Sequence, residues 1–303
     1  MPLAGCDIYP DDHVFHADVR QLPVRADSAT ALSGAGGTQM PLHVGFGSGI
    51  WEGSRRGIPV NVVDHAAAAP TDFMVAAVYE SLTGDQRLDV PMPNNPRFEG
   101  WPGRSWDKHL LLLDPATCRT HELINVQLPG ENLSAARYGA WYADAVVEMD
   151  LTTNELPATG SVTAARFSLI AGLIRYDEVL SDQLNHVMRV TLPEIRAGDP
   201  IWPALGNDGR STRADLPQMG SWLRLRPDVD LSGLGTHARI VAEALKVHGA
   251  ILGDTGKFFS LSGEPDHRWD DEDLAGLEAL TLADFELVDP EPMKVADDSW
   301  AIR

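Results

Sequence analysis

The sequence predicts a mostly β protein: an antiparallel two-sheet sandwich with one or two C-terminal helices packed on it. Three observations carry this expectation. Several short runs alternate apolar and polar residues with period two, as half-buried strands do. Clusters of Gly, Pro, Asp, Asn and Ser separate those runs. The runs also follow one another without intervening helical patterns, which argues against repeated βαβ units. At 303 residues the chain can bury a sizeable core without disulfides or metals.

In chain order, residues 1–60 read as a loop-rich N-terminal segment and residues 61–303 as the sandwich-like domain. Ser33-Gly-Ala-Gly-Gly37 and Gly45-Phe-Gly-Ser-Gly49 break the first segment, and Pro59-Val-Asn-Val-Val63 reads as a short strand. Pro91, Pro93, Pro96 and Pro102 forbid a long helix across residues 84–107. His109–Asp114 and Arg119–Val126 form a hairpin around Pro115-Ala-Thr-Cys118. Pairing Asp114 with Arg119 sets Leu111 opposite Glu122 and His109 opposite Ile124. Ala145–Asp150 is the next strand, and Asp114 and Asp150 each suit a turn where a carboxylate accepts backbone amides. Ser168–Val179, Asn185–Leu192 and Ser221–Arg226 continue the series, and Phe285–Val288 closes it. One helix is expected near 237–248, with Thr236 as N-cap and Gly249 as stop. A second is expected near 271–280, where Asp270, Asp271, Glu272 and Asp273 meet the positive end of the helix dipole.

Charge narrows the function. The chain has 44 Asp and Glu against 24 Lys and Arg, a formal net charge of −20. Such a surface repels phosphate backbones and anionic lipid, so no nucleic-acid partner and no membrane insertion are expected. It suits cations or neutral ligands such as sugars. The N-terminus has no basic stretch followed by an apolar run, so no secretory signal is expected in this chain. The two cysteines, Cys6 and Cys118, are open to a single disulfide that sequence leaves undecided.

Three groups of residues could carry chemistry. If Val179 pairs with Leu184, then Asp177 faces His186, and Arg175, Asp177 and His186 share one face of a hairpin. A carboxylate opposite an imidazole raises its pKa and fixes its tautomer. The competing reading is an exposed cross-strand ion pair. In the first hairpin, His109 and Glu122 are diagonal neighbours, able to act as acid and base, or to be a strand-end His and a rim carboxylate. Asp144, Glu148 and Asp150 point to one side of their strand, with Trp141 on the other; an acidic solvent face is the simpler explanation. Trp101, Trp106 and Trp141 are candidate ligand-binding rings, since indole faces stack on sugar rings; packing is the alternative. Gly233-Leu-Gly235-Thr-His-Ala238 fits a dinucleotide fingerprint but lacks the βαβ context. Asp228–Ser232 starts like a Ca²⁺ loop but has Arg239 where the bidentate Glu belongs. His13 and His16 have no third ligand spaced nearby. No metal or cofactor is expected.

Seven motifs recur in order: Asp107-Lys-His-Leu-Leu-Leu-Leu-Asp-Pro-Ala-Thr-Cys-Arg-Thr-His-Glu-Leu, Ala171-Gly-Leu-Ile-Arg-Tyr-Asp-Glu-Val, His186-Val-Met-Arg, Ile201-Trp-Pro-Ala, Met219-Gly-Ser-Trp-Leu-Arg-Leu, Ala244-Leu-Lys-Val-His-Gly and Arg268-Trp-Asp-Asp. They resemble an uncharacterised module of secreted actinobacterial and fungal proteins, over roughly residues 45–289. Versions without a signal peptide resemble actinobacteriophage minor tail proteins. The resemblance implies a virion or extracellular setting, cell-surface polysaccharide as target, and other tail proteins as partners. Secreted relatives carry Thr-Ser-Ala-Asp-Ala-Ala-Gly where this chain has Val162-Thr-Ala-Ala-Arg-Phe-Ser168, so an Asp is lost. The leading expectation is a virion-associated, tail-type module that engages host glycan. The alternatives are a glycan-cleaving enzyme with a His/carboxylate site, and a purely structural assembly module.

Overall fold

The structure, a computed structural model, describes residues 2–51, 53–75, 86–103, 107–131, 139–157, 160–182 and 184–303. The mostly-β class holds, with the strands in four sheets. The largest sheet has six strands. They are β1 (His43–Val44), β11 (Met188–Leu192), β12 (Trp222–Leu225), β13 (Ala250–Thr255), β14 (Ser260–Leu261) and β15 (Phe285–Val288), in the order β1-β14-β11-β13-β12-β15. Four strands, β4 (Val60–Val62), β7 (Leu110–Leu113), β8 (Arg119–Ile124) and β10 (Ala145–Asp150), follow the order β10-β8-β7-β4. A three-stranded sheet has β5 (Pro70–Val75) between β6 (Gln86–Pro91) and β9 (Trp141–Ala143), and β2 (Ile50–Trp51) pairs with β3 (Ser54–Arg55).

The pairing is mixed rather than wholly antiparallel. β1–β14, β11–β13, β4–β7 and β5–β9 run parallel. Parallel neighbours require long crossovers, and short-range alternation carries no record of them.

Leu110, Leu111, Leu112 and Leu113 are all fully buried, which a one-sided strand could not achieve. Leu111 and Leu113 join the large core with Met188, Val190, Trp222 and Leu252. Leu110 and Leu112 join a second core with Phe73, Val75 and Val90 of the three-stranded sheet. The four-stranded sheet is therefore covered on both faces, and its strand reads as a continuous apolar run for that reason. In the N-terminal segment, Val14, Phe15, Leu42 and Phe46 lie in the large core. A Cys6–Cys118 disulfide ties that segment to the turn between β7 and β8.

The hairpin register is the expected one: Leu111 faces Glu122, and the Asp114 amide donates to the Arg119 carbonyl. The stretch Ser168–Val179 is not a strand. It holds a 3₁₀ turn over Ile170–Gly172, an isolated bridge from Ile174 to Gly263, and a short helix α2 (Tyr176–Leu180), following α1 (Ser28–Gly34). The late helices are α3 (Thr236–Val247) and α4 (Asp271–Ala275), the latter continued by a 3₁₀ turn over Gly276–Ala279. Gly235, not Thr236, is the N-cap of α3. Its cap is supplied from α4: the Asp273 carboxylate accepts from the His237 amide at 2.9 Å and the Ala238 amide at 3.0 Å. A carboxylate thus occupies the place where a dinucleotide phosphate would sit.

A candidate acid–base cleft

The proposed hairpin triad is corrected by α2. Asp177 sits on the helix with its side chain 64% exposed and pairs with Arg268 at 2.8 Å, not with His186. Arg175 and His186 do converge, on Glu178 one residue further along. Glu178 is 2% exposed; Arg175 Nη2 pairs with it, and His186 Nε2 lies 3.2 Å from its Oε2. His186 Nδ1 meets the Val187 carbonyl at 3.0 Å. Burial pushes the Glu178 carboxyl upward, but His186 and then Arg175 outweigh it and hold it below the usual range. Both ring nitrogens of His186 face an oxygen acceptor, so this network fixes structure beside a small cavity of about 200 Å³.

Glu122 is also an anchor. It is fully buried, and it accepts from the Ser168 hydroxyl at 2.5 Å and the Leu169 amide at 2.9 Å. Burial raises its pKa. It pins the 168–170 turn to β8 and lines none of the three cavities named in this section.

His109 is different. It stands just before β7, on the wall of a cavity of about 520 Å³ between the four-stranded sheet and the β14-β11-β13 part of the large sheet. That volume is ordinary for a small-ligand site. Its Nδ1 lies 2.5 Å from Glu99 Oε2, and its backbone amide reaches the same oxygen at 3.2 Å. A carboxylate only accepts, so Nδ1 carries the proton. The opposite nitrogen, Nε2, is buried and has no hydrogen-bond partner among the described residues. Burial pulls His109 down, but Glu99 outweighs it and the imidazole pKa is raised. Burial pushes Glu99 up, but His109 outweighs it and the carboxyl is lowered.

Across the cavity, Arg189 of β11 pairs with Asp254 of β13 and donates to Ser262 Oγ at 2.6 Å. Its Nε–H is buried and also has no hydrogen-bond partner among the described residues. The register between β11 and β13 shifts between Val190 and Thr191. Such bulges re-aim side chains, and Arg189, Thr191 and Asp254 all line the cavity. Two glycines make room for the arginine stem: a Cβ on Gly253 would lie 2.7 Å from Arg189 Cγ, and one on Gly172 would lie 3.0 Å from its Cβ. Burial pushes Asp254 upward, against Arg189 and the Ala164 amide. Non-glycine residues in left-handed conformation flank the site, Lys108 at φ 49°, Asn125 at φ 52° and Arg166 at φ 67°; strained backbone of this kind collects at functional sites.

The aromatic candidates separate. Trp141 packs between Phe73, at 5.5 Å, and Phe98, at 5.9 Å, in the second core. Trp101 is 47% exposed and lines another cavity. Trp106 lies outside the described residues. No Trp, Tyr or Phe among the described residues lines the His109 cleft. Glu148 is exposed, on the outer face of β10, and Asp150 is bonded to Arg119 and its own turn. His13 Nδ1 accepts from the Phe15 amide, and His16 Nε2 meets the Ile8 carbonyl, so both serve the N-terminal turn.

Of His109, Glu99, Arg189 and Asp254 in this cleft, the sequence offers His109 as a candidate and gives no signal for the other three. Glu99 lies in the aperiodic Pro/Gly segment and gains meaning only through contact with His109. Among the described residues no group of three or more His, Cys, Asp or Glu is arranged to hold a metal. Comparison of the chain with protein-family models, curated proteins and solved structures gives no match.

Proposed function

We propose that this protein engages a cell-surface glycan in a virion or extracellular setting, and acts on it in the His109 cleft by general acid–base chemistry. One observation carries the reading: an imidazole on the wall of a cavity of about 520 Å³, held at Nδ1 by Glu99, whose buried Nε2 has no partner among the described residues. A carboxylate behind an imidazole fixes its tautomer and strengthens the opposite nitrogen as a base. In this role His109 Nε2 takes a proton from water or a sugar hydroxyl, and Glu99 stabilises the resulting imidazolium. Arg189, which lines the same cavity, also has a buried Nε–H without a partner among the described residues. The polar lining, with Ser161, Thr163, Asn207, Asp208 and Ser262, suits a hydroxyl-rich ligand. The disulfide suits an oxidising compartment. The tail-protein setting and tail-protein partners rest on the family resemblance. We also infer that the six- and four-stranded sheets are the two layers of the expected sandwich, since they share one core.

A binding-only reading is favoured by one feature. The segment where relatives carry the missing Asp supplies Val162, Thr163, Ala164 and Arg166 to the cleft wall. Loss of a carboxylate there would leave recognition without cleavage.

The test is incubation with actinobacterial cell-wall polysaccharide, reading co-sedimentation and the mass spectrum of the supernatant. Released oligosaccharides from the native protein, and none from a folded His109→Gln variant, are expected. Binding without release selects the adhesin reading. Neither binding nor release leaves the structural assembly role.

A further inference from the structure

A separate cavity of about 280 Å³ opens beside Trp101, and it shares no lining residue with the His109 cleft. The Trp101 ring is exposed on one side and backed by Phe98, with centroids 6.2 Å apart. Arg55 and Arg97 line the same cavity. Neither forms an ion pair among the described residues. Arg97 spends one Nη2 bond on the Val60 carbonyl, at 2.6 Å. The carboxylate in the lining, Asp266, is already taken by Arg268 at 2.6 Å. The half-buried Glu264 lies at longer range from Arg97; burial, the larger effect, raises its pKa, and Arg97 opposes that. The rim is held in place: Ser48 donates to the Asp271 carboxylate from its amide at 2.7 Å and its hydroxyl at 3.0 Å.

On a chain of net charge −20, two guanidiniums without an ion pair among the described residues, beside an open indole, are a local reversal of sign. We propose that this cavity binds an acidic sugar ring, a hexuronate unit of a glycan. The C–H face of the ring stacks on Trp101, and the carboxylate accepts from Arg55 and Arg97. The proposal rests on the glycan reading and gives it a substrate class. It also places recognition apart from the cleft, which has no stacking ring of its own among the described residues.

The experiment is titration calorimetry of the intact protein with a hexuronate trisaccharide and with its neutral hexose counterpart. Trp101→Ala, Arg55→Gln and His109→Gln are compared, each checked for an unchanged melting profile. Trp101 and Arg55 are exposed, so their removal leaves the core intact. The acidic sugar is expected to bind at least about tenfold more tightly than the neutral one, and to weaken with salt. Trp101→Ala and Arg55→Gln should each lower that affinity about tenfold, and His109→Gln should leave it unchanged. Equal affinity for both sugars overturns the acid preference and leaves the glycan reading standing. Affinity lost in His109→Gln but kept in Trp101→Ala puts the sugar in the cleft and overturns the site. No binding of either sugar overturns the proposal, while release from whole polysaccharide still decides the glycan reading on its own.

Discussion

His109 and His186 are both buried imidazoles beside a glutamate, and they differ in one atom. His186 has an oxygen beside both nitrogens; His109 lines a cavity, and its buried Nε2 has no partner among the described residues. The raised pKa of His109 sets a pH dependence. Below that pKa Nε2 is protonated and cannot act as a base, so the rate should rise with pH through a midpoint above 6.5, the ordinary His value. Glu99→Gln removes the charge that outweighs burial. It should lower the rate roughly 10²-fold or more and move the rising limb to lower pH, a shift that a merely structural Glu99 would not produce. His13 behaves oppositely. Burial first, and His16 second, push it down to about 2. The folded state keeps it neutral while the unfolded chain takes up a proton below about 6.5. Its contribution is therefore intact above that pH and is lost as pH falls, by about 1.4 kcal/mol per unit. Melting temperatures measured against pH should fall less steeply in acid for His13→Gln than for the native chain. Of these residues, His109 was legible because it heads a strongly apolar strand. Glu99 was not, because its role depends on one contact across an aperiodic loop.

At the scale of elements, local pattern succeeded where the partner was near in sequence. The β7–β8 register followed from the Asp114–Arg119 turn and the alternation of Arg119–Ile124. It failed at Tyr176–Leu180, where a five-residue helix is too short to show its own period and mimics alternation. That slip moved the proposed carboxylate from the buried Glu178 to the exposed Asp177. The two make opposite predictions for stability. Glu178→Ala strands the buried Arg175 without its counter-charge, takes a hydrogen-bond partner from His186, and should cost roughly 3–5 kcal/mol in a denaturant melt. Asp177→Ala, on the surface, should change stability by less than about 1 kcal/mol. The cap of α3 is another non-local device: Asp273, on a different helix, satisfies its amides, so the sequence signal at Thr236 named the right boundary and the wrong group.

For the whole molecule, the four-stranded sheet is the organising layer, with the large core on one face and the smaller core on the other. His109, just before β7, lines the same cavity as residues of the parallel β11–β13 pair, so the cleft exists only once both sheets are assembled. Strand order of this kind leaves no trace in periodicity, which is why the mostly-β class was readable and the site was only half so. The Cys6–Cys118 disulfide closes a separation of 112 residues. In the chain-entropy picture, replacing both cysteines by serine should lower stability by about 4–5 kcal/mol, read from the shift in a denaturant midpoint. The acid–base reading itself can be checked without any ligand, by an NMR titration of the ¹⁵N-labelled His109 ring in the native protein and in Glu99→Gln. Nδ1 protonated throughout, with Nε2 titrating above 6.5 in the native protein and at a lower pH in the variant, is the expected result. A ring that titrates at or below 6.5 in both, or that carries its neutral proton on Nε2, would contradict it.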